Sequence, residues 1–491
     1  MDLDREAARG HDGFLERVAA MLREEGFTGR PDAGVPVVRF HHPDKLQELL
    51  QLDLGPAVAD EEALLAAARA VVRHSVRTGH PHFHNQLFAA ADPFGVAGAW
   101  ITEALNTSQY TFEVAPSLML VEHKVIQRAL ALAGFDGGDG IFTPGGSVSN
   151  MYGIVAARYQ AFPQVKTEGM RALPPLAVFT SDDSHYSMTK GAHWLGLGTN
   201  AVVKVATGPD GRMLPDALRD AIAGARLAGV HPVMVNATVG TTVLGAVDPL
   251  GAIADVCEEA GVWLHVDACW GGSLLLSAKH RGALLGLARA DSASWNPHKM
   301  LGAPLQCSVF MVRHGGGLLH RCNAAAAAYL FQQDKFYDVS WDTGDKSVQC
   351  GRKVDALKLW LMWKARGDAG LATLVEHAME SASYFRSRVR DAEGFRLVTD
   401  AQDCTNTCFW YIPARLRGRT EDEAWWQEVA KVAPAIKERL VLDGSLLVGY
   451  CPLPHKGLVN FFRMVVTCQP PARRQDMDFV LQEIRRHGEA V

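Results

Sequence analysis

The sequence predicts an α/β protein: a mostly parallel sheet covered by helices on both faces, followed by a smaller C-terminal α+β domain. Three observations predict it. Between about residues 115 and 310, apolar runs of strand length alternate with segments of helical spacing. Those runs are continuously apolar, as strands buried on both faces are. Beyond "WLMWKARGDAG" (360–370) the texture changes to longer helices and isolated strands. The expected boundaries are 1–65 for an N-terminal helical segment, 66–365 for the large domain and 366–491 for the small one.

Residues 1–60 read as one or two amphipathic helices joined by the Pro/Gly-rich "GRPDAGVPVVRFHHP". "DEEALLAAARAVVRHSV" opens on acidic residues, the usual start of a helix. The strand candidates are "LAVFTS" (176–181), "AVVKVA" (201–206), "HPVMVNATVG" (231–240), "VWLHVDA" (262–268) and "CSVFMVR" (307–313). "PDALRDAIAGARLAG" and "LGAIADVCEEAG" are helices between them, the second closed by a glycine. In the small domain a helix (371–390) precedes "CTNTCFWYIP", a helix near "VAPAIKERLVLDG", then "NFFRMVV" and a closing helix.

Composition removes several function classes. A net charge of −5 argues against a broad nucleic-acid surface. No stretch approaches the roughly 20 apolar residues of a membrane span, and the N-terminus has no apolar leader core. Nine scattered cysteines without a CxxC pair fit a reducing compartment. A cytoplasmic protein, free of membrane and nucleic acid, is expected. "GHPHFHNQ" sets His80, His82 and His84 at alternate positions of an extended segment, a spacing zinc ligands use. No cysteine or acid stands beside them, so no metal is expected.

Four features fall at strand ends or in the turns after them, where open α/β sheets place ligands. "TPGGSVSNMYG" (143–153) can cradle a phosphate on a helix N-terminus, or form a tight turn with an N-cap. Asp267 in "WLHVDACWGG" closes an apolar run; it can meet a protonated ring nitrogen or cap a turn. In "WNPHKML" the proline fixes the direction of Lys299, and Trp295, Met300 and Leu301 half-bury it, where desolvation favours a reactive neutral amine. His185 in "SDDSHYSMTKGA" can present its ring to a flat cofactor or serve structure alone. Together they are the parts that pyridoxal 5′-phosphate needs: a lysine for its aldehyde, an acid for its ring nitrogen, a phosphate cradle and a plate for the ring.

From about residue 65 onward the chain resembles the group II pyridoxal-phosphate decarboxylases, the family of glutamate, cysteine sulfinate and aromatic amino-acid decarboxylases. The resemblance rests on "HPHFHNQL", "GDGIFTPGGSVSNMYG", "HVDACWGG", "WNPHKML", "LFQQDKFYDVSWDTGDKSVQCGR", "LKLWLMWKA" and "NFFRMVV". It implies the aminotransferase-like fold of type I and a homodimer with shared active sites. Lys299 would hold the cofactor covalently, Asp267 would pair with its pyridine nitrogen, and His185 would stack on its face. Gly146, Ser147 and Thr242 would lie near the phosphate or ring substituents, and Asn296 and His298 near the lysine. Arg463 would hold a substrate carboxylate, and Gln86 would contact the substrate. Tyr337, in a polar and mobile lid, would return the proton to Cα after carbon dioxide leaves.

Three positions bear on the substrate. Glutamate decarboxylases show Ser, Asn and Phe where this chain has Phe88, Ser108 and Tyr110. That combination, a pocket shortened by Phe88 with a hydroxyl on Tyr110, resembles the cysteine sulfinate decarboxylases and their aspartate-using relatives. The resemblance implies a small acidic amino acid: cysteine sulfinate or cysteate, giving hypotaurine or taurine, and aspartate, giving β-alanine. The alternative is a glutamate decarboxylase producing GABA. A pyridoxal-phosphate aminotransferase or desulfurase would share Lys299 and Asp267 without needing the lid, and a catalytically dead regulator would lack the lysine or the cradle. Two departures stand out. Cys269, a cofactor-site position, replaces a common alanine, and His84 replaces a common phenylalanine beside Gln86.

Overall fold

The computed structural model describes residues 12–27, 32–50, 52–56 and 59–491. Residues 1–11 of the expected N-terminal helix and 28–31 of the Pro/Gly-rich stretch lie outside them. Helices Asp12–Glu24, Pro43–Leu50 and Glu61–His74 form the N-terminal segment. The Asp60 side chain caps the third by accepting from the Ala63 amide, as the acidic opening predicts.

A seven-stranded sheet organises the middle of the chain. Its strands are β2 (Asp139–Phe142), β3 (Leu176–Ser181), β4 (Val202–Val205), β5 (His231–Thr238), β6 (Trp263–Ala268), β7 (Ser292–Trp295) and β8 (Val309–Val312), in the order β2-β8-β7-β6-β5-β3-β4. Only β8 runs against the others. The continuous apolar runs have their reason in alternation. On β3, Val178 packs with Ile154, Ala157 and Met188, whereas Ala177 and Phe179 join Leu218, Ile222 and Ile253. Each face therefore meets helices, so neither face calls for polar residues.

A second sheet has the order β1-β11-β12-β10-β9, from β1 (Phe83–His84), β9 (Phe395–Leu397), β10 (Asn406–Tyr411), β11 (Leu447–Leu453) and β12 (Leu458–Val465). Its parallel edge strand β1 comes from far upstream, pairing Phe83 with Leu447 and His84 with Val448. The helix expected over 371–390 is longer, Ala356–Asp391, with a non-helical kink at Gly367. Position 367 supplies the φ of 60° that a side chain would resist.

The histidine segment is not one extended strand. Residues 78–82 turn, and only Phe83 and His84 are strand. His80 Nε2 lies 3.0 Å from the Val35 carbonyl, His82 stacks on Phe479 with centroids 3.8 Å apart, and His84 Nδ1 meets the Val465 carbonyl at 3.0 Å. Each ring thus has its own structural partner. No described helix is long and apolar enough to cross a membrane.

Candidate active site

Beyond the C-terminal ends of β3, β5, β6 and β7 lies a cavity of about 220 Å³. Gly146, Ser147, His185, Thr242, Asp267, Cys269, Asn296, His298 and Lys299 line it, all nine of the positions read as cofactor-binding. Sheet register brings them together. Asp267 pairs with Thr238 on one side and Ser294 on the other, so the strand-end acid sits in the centre of the sheet. The turn after β7 then carries Asn296, His298 and the half-buried Lys299.

Asp267 is buried, and its surroundings keep it ionised. Burial alone would push it up, but the Lys299 charge, the His185 ring and donors from Cys269 and Asn150 together bring it below the usual carboxylate range. The Cys269 amide donates to Oδ1 at 3.1 Å and Asn150 Nδ2 to Oδ2 at 2.8 Å. Burial lowers His185, against the pull of Asp267, so its ring is neutral at pH 7; its Nδ1 accepts from the Ser187 amide at 3.2 Å. His298 is pushed down to about 4 by burial and its Nδ1 lies 2.6 Å from the Cys307 carbonyl. The Cys269 thiol is pushed well up, first by burial and then by the Asp267 charge. It is an un-ionised small hydrophobe.

Two residues of this network are absent from the sequence reading. Asn150 bridges Asp267, Ser187 (2.9 Å) and His265 Nε2 (3.1 Å). His265, fully buried, joins Asn150 to the Ser292 hydroxyl at 2.9 Å. The sequence offers only spacing for them: Asn150 is one helical turn past Gly146, and His265 shares a strand face with Asp267.

The cavity suits a phosphorylated, aldehyde-bearing ring. The helix Gly146–Ala161 starts at Gly145 without a side-chain cap, and its unpaired first-turn N–H groups include those of Gly146 and Ser147, which line the cavity. A Cβ at Gly146 would stand 2.6 Å from both Asn296 Nδ2 and Cys269 Sγ, so glycine keeps the cradle open. Thr238 Oγ1 is buried beside Asp267 with no partner among the described residues. An amine, an ionised acid and an anion cradle therefore meet in one cavity.

A family model described as the pyridoxal-dependent decarboxylase conserved domain matches residues 43–412. The chain belongs to that family. It is 50% identical to human cysteine sulfinic acid decarboxylase, over 97% of this chain and 96% of that one. It is 49% identical to the Bos taurus acidic amino acid decarboxylase GADL1, over 96% and 90%. The crystal structure of mouse CSAD superposes with a TM-score of 0.95 at 48% identity, covering 98% of this chain and 99% of that one. This decarboxylase thus has the pyridoxal-phosphate fold expected, uses that cofactor and acts on an amino acid.

The other expected site residues of the decarboxylase do not line the cavity. They form two groups. Gln86 is exposed just after β1, Phe88 lies with its ring 6.4 Å from that of Phe83, and Arg463 is on β12. The Arg463 guanidinium donates to the Thr242 carbonyl at 3.1 Å and the Asn85 carbonyl at 2.9 Å. Ser108, Tyr110 and Tyr337 form the second group. Tyr337 donates to Asp342 Oδ1 at 2.9 Å, Phe112 N donates to the same oxygen at 2.8 Å, and Lys335 holds the other oxygen at 2.8 Å. In the structure the expected lid is tied to the 108–112 segment through Phe112 N and Asp342. A carboxylate inside it satisfies the polar groups that a loose loop would give to water.

Proposed function

We propose that this decarboxylase acts on a short acidic amino acid, converting cysteine sulfinate or cysteate to hypotaurine or taurine, with aspartate to β-alanine as a further activity. The observation that carries the reading is the 50% identity to a cysteine sulfinic acid decarboxylase across nearly all of both chains. The half-buried Phe88 supports it, because a phenyl ring shortens the space available to a side chain.

When bound, pyridoxal phosphate supplies an electron sink for the pair left on Cα as carbon dioxide departs. The chain does the rest. Lys299 offers the amine that anchors the cofactor. Asp267, ionised and held by Asn150, keeps a proton on the ring nitrogen. Gly146 and Ser147 offer amides to the phosphate, with Thr242, Asn296 and His298 fixing the walls, and His185 offers a neutral plate. Arg463 takes the substrate carboxylate, Gln86 contacts the substrate, Phe88, Ser108 and Tyr110 select its side chain, and Tyr337 delivers the proton to Cα.

The active unit in this reading is a cytoplasmic homodimer with shared sites. Phe94, Trp100, Ile101 and Leu105 leave much of helix Pro93–Leu105 apolar and exposed, a surface that a second copy can cover. Because Tyr337, Ser108 and Tyr110 stand together away from the Lys299 cavity, a neighbour can bring them to it. Parallel assays with cysteine sulfinate, cysteate, aspartate and glutamate test the substrate. The highest specificity constant is expected for one of the first three, and a maximum on glutamate would reject the reading.

A further inference from the structure

Two cations converge on Asn85 without a counter-ion among the described residues. Arg463 donates to its backbone carbonyl at 2.9 Å. From the helix Glu423–Asp443, Lys437 reaches the Asn85 side-chain oxygen and, at 2.5 Å, the Val448 carbonyl on β11. Among the described residues, the charge acting on Lys437 is that of Arg463, and it is of the same sign. Burial first, then that repulsion, pushes the ammonium down to about 8.

A tie between helix and sheet needs a donor but no charge, since both acceptors are neutral. Keeping a half-buried ammonium beside a half-buried guanidinium is unfavourable until an anion joins them. The neighbour of Asn85 is Gln86, and the second acceptor of Arg463 is the carbonyl of Thr242, a wall of the cofactor cavity. The place an anion would fill is thus the carboxylate end of the active site.

We propose that Lys437 is a positioning residue for substrate. Its ammonium holds Asn85, and with it the carbonyl that seats Arg463 and the backbone leading to Gln86. It also sets a second positive charge behind Arg463 that the carboxylate of an amino-acid substrate neutralises. The inference rests on the reading of Arg463 as the carboxylate ligand.

The test compares Lys437→Gln, Lys437→Arg and Arg463→Met in the full-length holoenzyme, with cysteine sulfinate as substrate and cofactor absorbance as the check on the site. Glutamine keeps a donor for Asn85 but removes the charge. K437Q is expected to raise KM about tenfold, with kcat and cofactor occupancy within about twofold of wild type. K437R is expected to restore KM to within about threefold. An unchanged KM in K437Q overturns the proposal. So does an equal rise in K437Q and K437R, which would mark Lys437 as a packing residue alone. If R463M raises KM while K437Q does not, the carboxylate reading stands and only this inference falls. If R463M leaves KM unchanged, both fall.

Discussion

One methyl group added at position 146 tests the cofactor site without altering any titratable residue. In Gly146→Ala the new Cβ stands 2.6 Å from Asn296 Nδ2 and 2.6 Å from Cys269 Sγ, where ordinary contacts begin at 3.4 Å. Neither neighbour yields easily. Asn296 Oδ1 accepts from Ser308 at 2.6 Å, and Ser308 is bonded in turn to Ser149 at 2.8 Å. Cys269 is tied through its amide to Asp267. The helical backbone at 146 tolerates alanine, and in an exposed helix the exchange would stabilise by about 1 kcal/mol, so any loss reports crowding. Overpacking of this kind costs about 1–3 kcal/mol. Falling on the cradle, it should weaken pyridoxal phosphate binding about 5- to 150-fold. The assay is titration of the apo protein with pyridoxal phosphate followed by cofactor absorbance, with the apo Tm as a folding control. Binding within about twofold of wild type, at unchanged Tm, would refute the close approach.

Asn150→Leu strips Asp267 of a donor and His265 of an acceptor; a loss of about 2–4 kcal/mol is expected as a clear fall in apo Tm, and an unchanged Tm would count against the network. His265 and His298 are both pushed down to about 4, by burial first. The unfolded chain therefore takes up protons before the folded one, so stability is full above about pH 6.5 and falls towards pH 4, by about 3 kcal/mol for each ring. A Tm profile flat from pH 7 to 4.5 would contradict this. Phe88→Ser should raise the specificity constant for glutamate relative to cysteine sulfinate by about 5- to 150-fold, measured in competing assays; no change would remove Phe88 from substrate choice. Tyr337→Phe should divert turnover from amine towards aldehyde and pyridoxamine phosphate, so clean amine production in that variant would dismiss Tyr337 as the proton donor.

The cofactor half of the site was legible in the sequence because it depends on local chemistry. A strand-end acid, a proline-directed lysine and a Gly-Gly-Ser helix start each announce themselves within ten residues, and the sheet register assembles them. Asn150 and His265 were not legible for the opposite reason. A polar residue one turn into a helix acquires meaning only when that helix crosses the end of β6, which depends on sheet order. Strand β2 was missed because "DGIF" carries a glycine and a charge, and its pairing with β8 forms the strand. The junction at Asp342 escaped because that residue looks like one more surface carboxylate until Tyr337, Lys335 and Phe112 N are seen to converge on it.

The residues proposed to choose the substrate and the one proposed to finish the reaction are mechanically joined. The Gly344 amide donates to the Tyr110 carbonyl at 2.9 Å, and Ser108 Oγ donates to the Cys350 carbonyl at 3.1 Å while accepting from the Arg352 amide at 2.9 Å. Arg352 is buried against Glu122 and donates to the Gln109 carbonyl at 2.8 Å. Removing one partner of such a pair strands a charge, at a cost of about 3–5 kcal/mol, so the tie is stiff. Residues 108–112 and 337–352 are therefore tied to each other at several points. A change at Ser108 or Tyr110 that alters which side chain fits must also displace Tyr337, through Phe112 and Asp342. Substrate choice and clean protonation are then coupled properties, and double variants across the two segments should depart from additivity. That coupling follows from bonds within one chain.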